Sequence, residues 1–154
     1  MSRYAFVIPV YRKNTKNMTS AVDDILDQFK SHFRKYPSKV QFDHGKEFYN
    51  VSVKNLLENL DIEYFSTKSD KKAAIVERFN RTLKTMMWTY FYSKKTYQWI
   101  DVLDDLVHNY SNTKHSSILM KPAEVNPDTE SQVVVTLYGH AIGDLPIPKL
   151  KVGA

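Results

Sequence analysis

The sequence predicts an α/β fold whose second half is helical. Three observations carry this. Short runs rich in β-branched and aromatic residues alternate with amphipathic segments in the order strand, helix, strand, helix, strand, which suggests a parallel or mixed sheet. Beyond residue 73, apolar residues recur almost wholly at helical spacing. Finally, 154 residues with 42% hydrophobic content can bury one sizeable core, and nothing in the length argues for two independent domains.

The first run, Tyr4 to Val10, reads as a strand that Pro9 confines to an edge or to a strand end. From Thr19, read as an N-cap, Val22, Ile25, Leu26, Phe29 and Phe33 follow at helical spacing until Pro37 enforces a stop. Lys39 to Phe42 is a short strand with Val40 and Phe42 on one face, and Asp43 stands at its carboxyl end beside Gly45. Val53, Leu56, Leu57 and Leu60 mark a second helix, and Ile62 to Phe65 another strand. "STKSDKK" reads as a polar loop. A long helix is expected from about Ala73 to Tyr92, then one from Tyr97 to Tyr110 with Trp99, Leu103, Leu106 and Tyr110 on one face. Asn126 and Pro127 predict a further helix start that Gly139 could close, although Val133, Val134 and Val135 prefer strand. Residues 139–154 read as a linker after a 1–138 core.

With 22 basic against 17 acidic residues, the chain favours anionic partners such as nucleic acid. It has no cysteine, so disulfides and thiolate metal sites are excluded and any metal must sit on oxygen or imidazole. The apolar run at the amino terminus is far shorter than a membrane span, and nothing marks export.

The chemistry-bearing residues gather in two places. On a helical wheel of "AAIVERFNRTLKTMMWTYFY", Ile75, Val76, Phe79, Leu83, Met86, Met87 and Tyr90 fall together, with Glu77, Asn80, Arg81, Lys84 and Trp88 opposite. The plain reading is a solvated face with a Glu77–Arg81 pair. Asp43 adds a second reading, because reactive groups in open α/β sheets gather outside the carboxyl ends of strands, where a packed helix could bring Glu77. Two carboxylates suit a hard cation such as Mg²⁺ or Mn²⁺, and the basic residues one turn away would follow a phosphate backbone. His44 is read as a turn residue and Glu47 as a solvated first-turn acid. His115 with Ser116 and Ser117 lacks the orienting acid of a hydrolase and is read as a turn or cap. Met86 and Met87 read as core or interface.

"FDHGKEFYN" resembles the second acidic motif of the integrase catalytic core, "AAIVERFNRTLK" the third, and "YSNTKHSSILMKPAEV" the tyrosine, histidine and proline signature that follows. The resemblance covers about Arg3 to Tyr138 and is to integrases of retroviruses, long-terminal-repeat retrotransposons and, most of all, Polinton or Maverick transposons. "PKLKVGA" is similar to the entry into the small barrel domain that follows such cores. The resemblance implies a ribonuclease-H-like fold, DNA as partner, homo-oligomers as an option, no membrane, and a nuclear location. It implies three carboxylates holding Mg²⁺ for 3′-end processing and strand transfer, with Asp43 and Glu77 as the second and third. By the resemblance, Asn80, Arg81 and Lys84 would grip DNA, and by their charge Arg78, Lys71 and Lys72 would add phosphate contacts.

The family's first catalytic Asp belongs to the first strand, whereas the first acid in this sequence, Asp23, lies in a predicted helix with Asp24. The expectation is therefore a core fragment lacking its first two strands and catalytically silent or nearly so, since displacements of about 1 Å already cost roughly a hundredfold in rate. The rival expectations are a non-catalytic DNA-binding remnant and a helical protein-interaction module.

Overall fold

The computed structural model describes residues 2–43, 45, 48–66 and 74–139. In chain order these form α1 (Thr15–Phe33), β1 (Lys39–Phe42), α2 (Val51–Asn59), β2 (Glu63–Ser66), α3 (Ala74–Lys94), α4 (Ile100–Ser111) and α5 (Pro127–Tyr138). Two compact units can be described separately. One is Ala5–His108, and the other holds the described residues of Met1–Tyr4 and Asn109–Ala154.

In the larger unit β1 and β2 pair in parallel, from Lys39 opposite Glu63 to Phe42 opposite Ser66. Parallel neighbours need a crossover, which α2 supplies. The core joins Val22 and Leu26 of α1, Phe42 of β1, Val53 and Leu57 of α2, and Ile62. Val53 and Leu57 lie one turn apart and are wholly inaccessible to solvent, so the short α2 commits its single buried stripe to this core. Burial of each such side chain stabilises the fold by about 1.5–3 kcal/mol. A Lys39–Glu63 ion pair of 2.7 Å spans the register on the exposed side, where solvent leaves it little weight.

The expected first strand does not form. Residues 2–10 carry no ladder, and the sheet among the described residues is β1 and β2 alone. The pull on this segment comes from side chains. Phe6 lies 6.0 Å from the Phe29 ring and 6.2 Å from that of Phe33, both on α1. Aromatic packing thus holds Phe6 against a helix, while Pro9 lacks the N–H that a ladder would use.

Helix α1 begins earlier than expected. Asn14 is its N-cap, accepting from the Asn17 amide at 2.8 Å, whereas Thr19 lies inside the helix and donates its hydroxyl to the Thr15 carbonyl at 2.8 Å. Threonine can bond back to the preceding turn, so its presence does not by itself mark a start. The helix ends at Arg34, which turns into the left-handed region at φ 62°, three residues before the proline expected to stop it. Helix α4 starts at Ile100 instead of Tyr97, with Leu103 buried and Leu106 half-buried on the expected face.

In the smaller unit the contest over Val133 to Val135 is won by the helix. Asn126 accepts from the Asp128 and Thr129 amides at 2.9 and 3.1 Å, and Thr129 accepts in return from the Asn126 amide at 2.9 Å. Gly139, at φ 75°, closes α5 with a 2.8 Å bond to the Val135 carbonyl. Caps at both ends, together with the burial of Val133 against Ile118 and Val125, outweigh a strand preference worth a fraction of a kcal/mol. His115 occupies a turn, as expected. It bridges Met120 through a 3.0 Å backbone bond, and its ring meets Tyr110 edge-on at 4.5 Å. Of the expected linker, residues 140–154 lie outside the described residues. No helix among the described residues is long and apolar enough to cross a membrane.

Candidate metal and nucleic-acid site

Asp43 stands where the sequence placed it, directly after the last residue of β1, and is exposed. Its orientation follows from its neighbour. Phe42 is buried, stacked on Phe48 with centroids 5.1 Å apart and rings 13° from parallel, and edge-on to Tyr49 at 6.4 Å. Strand alternation then sends Asp43 the other way. The chain turns back through a 3.1 Å bond from the Phe48 amide to the Gly45 carbonyl and enters α2 under Asn50, which accepts from the Val53 amide at 2.9 Å. Asp43 therefore follows a strand end that the packed Phe42, Phe48 and Tyr49 rings hold in place. His44 and Glu47 lie outside the described residues, as do Lys71 and Lys72 of the expected DNA-contacting set.

Glu77 is in the first turn of α3, where a carboxylate faces the positive end of the helix dipole. Asn80, Arg81, Lys84, Arg78 and Trp88 are all exposed or nearly so, and Phe79, Leu83, Met86, Met87 and Tyr90 are half-buried. The wheel drawn from the sequence is thus reproduced in the pattern of exposure. Two parts of the expectation are not. Ile75 and Val76, counted with the apolar stripe, are 57% and 54% exposed, and no residue of α3 is buried. Nor do Glu77 and Arg81 form an ion pair among the described residues, so the cations of this face remain available to an outside anion.

Glu77, Arg81, Lys84 and Trp88 are brought together along one helix face. Asp43 and Glu77 are not gathered with a further carboxylate or histidine, because among the described residues no group of three such side chains could hold a metal ion. Two carboxylates are the right chemistry for Mg²⁺ but too few protein donors for a firmly held ion. The donor set therefore does not fit the metal centre that the resemblance implies, and no catalytic step follows from it. Two features escaped the sequence reading. Tyr49 buries a hydroxyl that has no partner among the described residues, which only tertiary packing could reveal. Tyr92, 90% exposed, continues the Glu77, Arg81, Lys84 and Trp88 stripe at helical spacing, a signal that was present in the sequence.

No protein-family model matches the chain. In sequence it is 37% identical over 124 residues to a transposon-derived protein of Caenorhabditis elegans, a match covering 80% of this chain but 42% of that protein. The chain thus spans less than half the length of this relative. In structure it is similar to the HTLV-2 integrase catalytic core domain in complex with magnesium in a trimeric form, with TM-score 0.59, 12% identity, and coverage of 72% of this chain and 68% of that one. It is similar to the catalytic core domain of BIV integrase, with TM-score 0.60, 18% identity, and coverage of 80% and 77%. It also matches the simian T-cell lymphotropic virus intasome in complex with PP2A regulatory subunit B56 gamma, with TM-score 0.61, 16% identity, and coverage of 93% and 46%. The fold of this chain is accordingly a mixed α/β, ribonuclease-H-like one that resembles retroviral integrase catalytic cores, carried by a sequence related to a transposon-derived protein.

Proposed function

We propose that the chain is the DNA-binding catalytic-core portion of a transposable-element integrase of the Polinton or Maverick kind, working on nuclear DNA. The observation that carries this reading is the open basic face of α3, with Arg81 and Lys84 exposed and no Glu77–Arg81 ion pair among the described residues, on an integrase-like fold. Asn80, Arg81, Lys84 and Arg78 contact phosphates, so binding is non-specific and falls steeply with salt. Asp43 and Glu77 serve as the second and third acidic positions. By themselves these two carboxylates bind Mg²⁺ or Mn²⁺ weakly.

The test is a salt titration of DNA binding by the parent and by the Arg81→Ala, Lys84→Ala double variant. Affinity should fall alike for unrelated duplexes, and the log–log salt slope should become shallower by about 1 for each phosphate no longer neutralised. Equal affinity of the two proteins at low salt would remove this face from the proposal. For the acidic pair, Asp43→Asn should weaken Mn²⁺ binding measured by calorimetry, and unchanged binding would release Asp43 from its role.

A second reading has its own observation. The apolar stripe of Phe79, Leu83, Met86 and Met87 is only half-buried, as in a helical module that docks on another protein. Absence of any salt-sensitive DNA binding would favour it.

A further inference from the structure

We infer that the exposed stripe Arg81, Lys84, Trp88 and Tyr92 of α3 is a track for unpaired DNA, with the two cations on phosphates and the two aromatic rings under bases. The inference rests on the DNA-binding reading above and names the form of DNA that this face takes.

Successive members of the stripe are three or four residues apart, so they lie on one side of the helix, with Lys84 and Trp88 separated by about 6 Å along its axis. Trp88 is 62% exposed and Tyr92 90%. Both lie opposite Phe79, Leu83 and Met86, so neither belongs to the apolar stripe that awaits a cover. Trp88 is nevertheless held. Phe91 braces it at 5.8 Å, nearly perpendicular at 78°, and Phe91 in turn meets Tyr97 at 5.6 Å. A braced ring loses less rotamer freedom on stacking than a free one.

The charges select the partner. Surfaces that dock protein are enriched in Arg, Trp and Tyr but depleted in lysine, whereas two cations followed by two exposed rings suit a charged backbone with flat bases. The stripe also has a direction, since Glu77 at its start repels phosphate and the cations and rings follow it. Unpaired DNA is favoured over duplex because a duplex buries its base faces against one another. Only a frayed end, an overhang or a single strand can offer a face to Trp88 or Tyr92.

The experiment measures fluorescence anisotropy with three probes, oligo-dT, a blunt duplex and the same duplex with a single-stranded overhang, for the parent and for the Trp88→Ala, Tyr92→Ala double variant. The parent should prefer the overhang to the blunt probe. The double variant should lose about tenfold or more on oligo-dT and the overhang but bind the blunt duplex as before, and Trp88→Phe should keep most of the affinity. In a Trp99→Phe background, which leaves Trp88 as the sole tryptophan, oligo-dT should quench its fluorescence. Unchanged binding of oligo-dT by the double variant, or equal losses on all three probes, overturns the inference while leaving the basic face intact. A variant that alters only the sedimentation coefficient, with DNA binding unaffected, identifies the rings as a protein contact and overturns it too. A parent that binds none of the probes overturns both the inference and the reading beneath it.

Discussion

Helices α2 and α3 belong to the same unit and are both amphipathic, yet they end in opposite conditions. Nine-residue α2 buries Val53 and Leu57 completely, while twenty-one-residue α3, with a longer apolar stripe, buries nothing. The difference lies in how each is tied. Helix α2 is tied to a strand on both sides, β1 before it and β2 directly after it, and since those strands pair in parallel, its apolar side has to lie on them. No such constraint acts on α3 from its far end, where the chain continues through a short coil to α4. An apolar stripe states that a face is to be covered; connectivity decides by what.

The largest expected effect would test this contrast directly. Leu57→Ala should cost about 2–5 kcal/mol, because it opens a cavity in a closed core, while Leu83→Ala on α3 should cost less than about 1 kcal/mol. Urea unfolding of both variants measures the gap. Similar losses would mean that the stripe of α3 is covered in solution after all. Next in size is the start of α2. Asn50→Ala removes the side-chain acceptor of the Val53 amide and should destabilise by about 1 kcal/mol, with hydrogen exchange quickening first at Val53. Exchange unchanged in the first turn of α2 would show that the cap contributes nothing there.

The smallest effect concerns pH at the rim of the packed region. His32 is exposed overall, but the Phe6 and Phe33 rings against its imidazole hold it below its ordinary 6.5, since desolvation on that side penalises the charged ring. The unfolded chain then binds more protons than the folded one between the lowered value and 6.5, so stability should rise with pH across that window and be lost as pH falls through it. The His32→Gln variant should flatten this slope in thermal melts between about pH 5 and 7. A His32 titration by NMR at or above 6.5 would contradict that desolvation.

Much of this contrast could be read from residue order. Spacing located β1, β2 and helices α1 to α4 to within a few residues, the Asn126, Pro127 and Gly139 signals located α5, and the wheel of α3 predicted which of its residues from Phe79 to Tyr90 would be half-buried and which exposed. The errors share a cause. Thr19 resembles a cap and Tyr4 to Val10 a strand because cap and strand residues have the same types inside and outside those roles. Asn14 and the Phe29–Phe33 ring pair made the decision through geometry. At the candidate site, Asp43 at a strand end and Glu77 beside Arg81 were legible, since each depends on its own element. Whether the acids meet was not, because that depends on a helix position no local pattern encodes.

What the sequence by itself determined is therefore local. Caps such as Asn126 and Gly139, the alternation that turns Asp43 away from Phe42, and the stripe of cations and rings on α3 all follow from interactions within about four residues. Tertiary structure alone decided that Phe6 and its segment lean on α1 instead of extending a sheet, that Val133 serves a helical core despite its strand preference, and that Tyr49 buries a hydroxyl without a partner among the described residues. Each of those outcomes depends on which surfaces, distant in the chain, remove apolar area from water together, a competition among whole elements that no short window of residues contains.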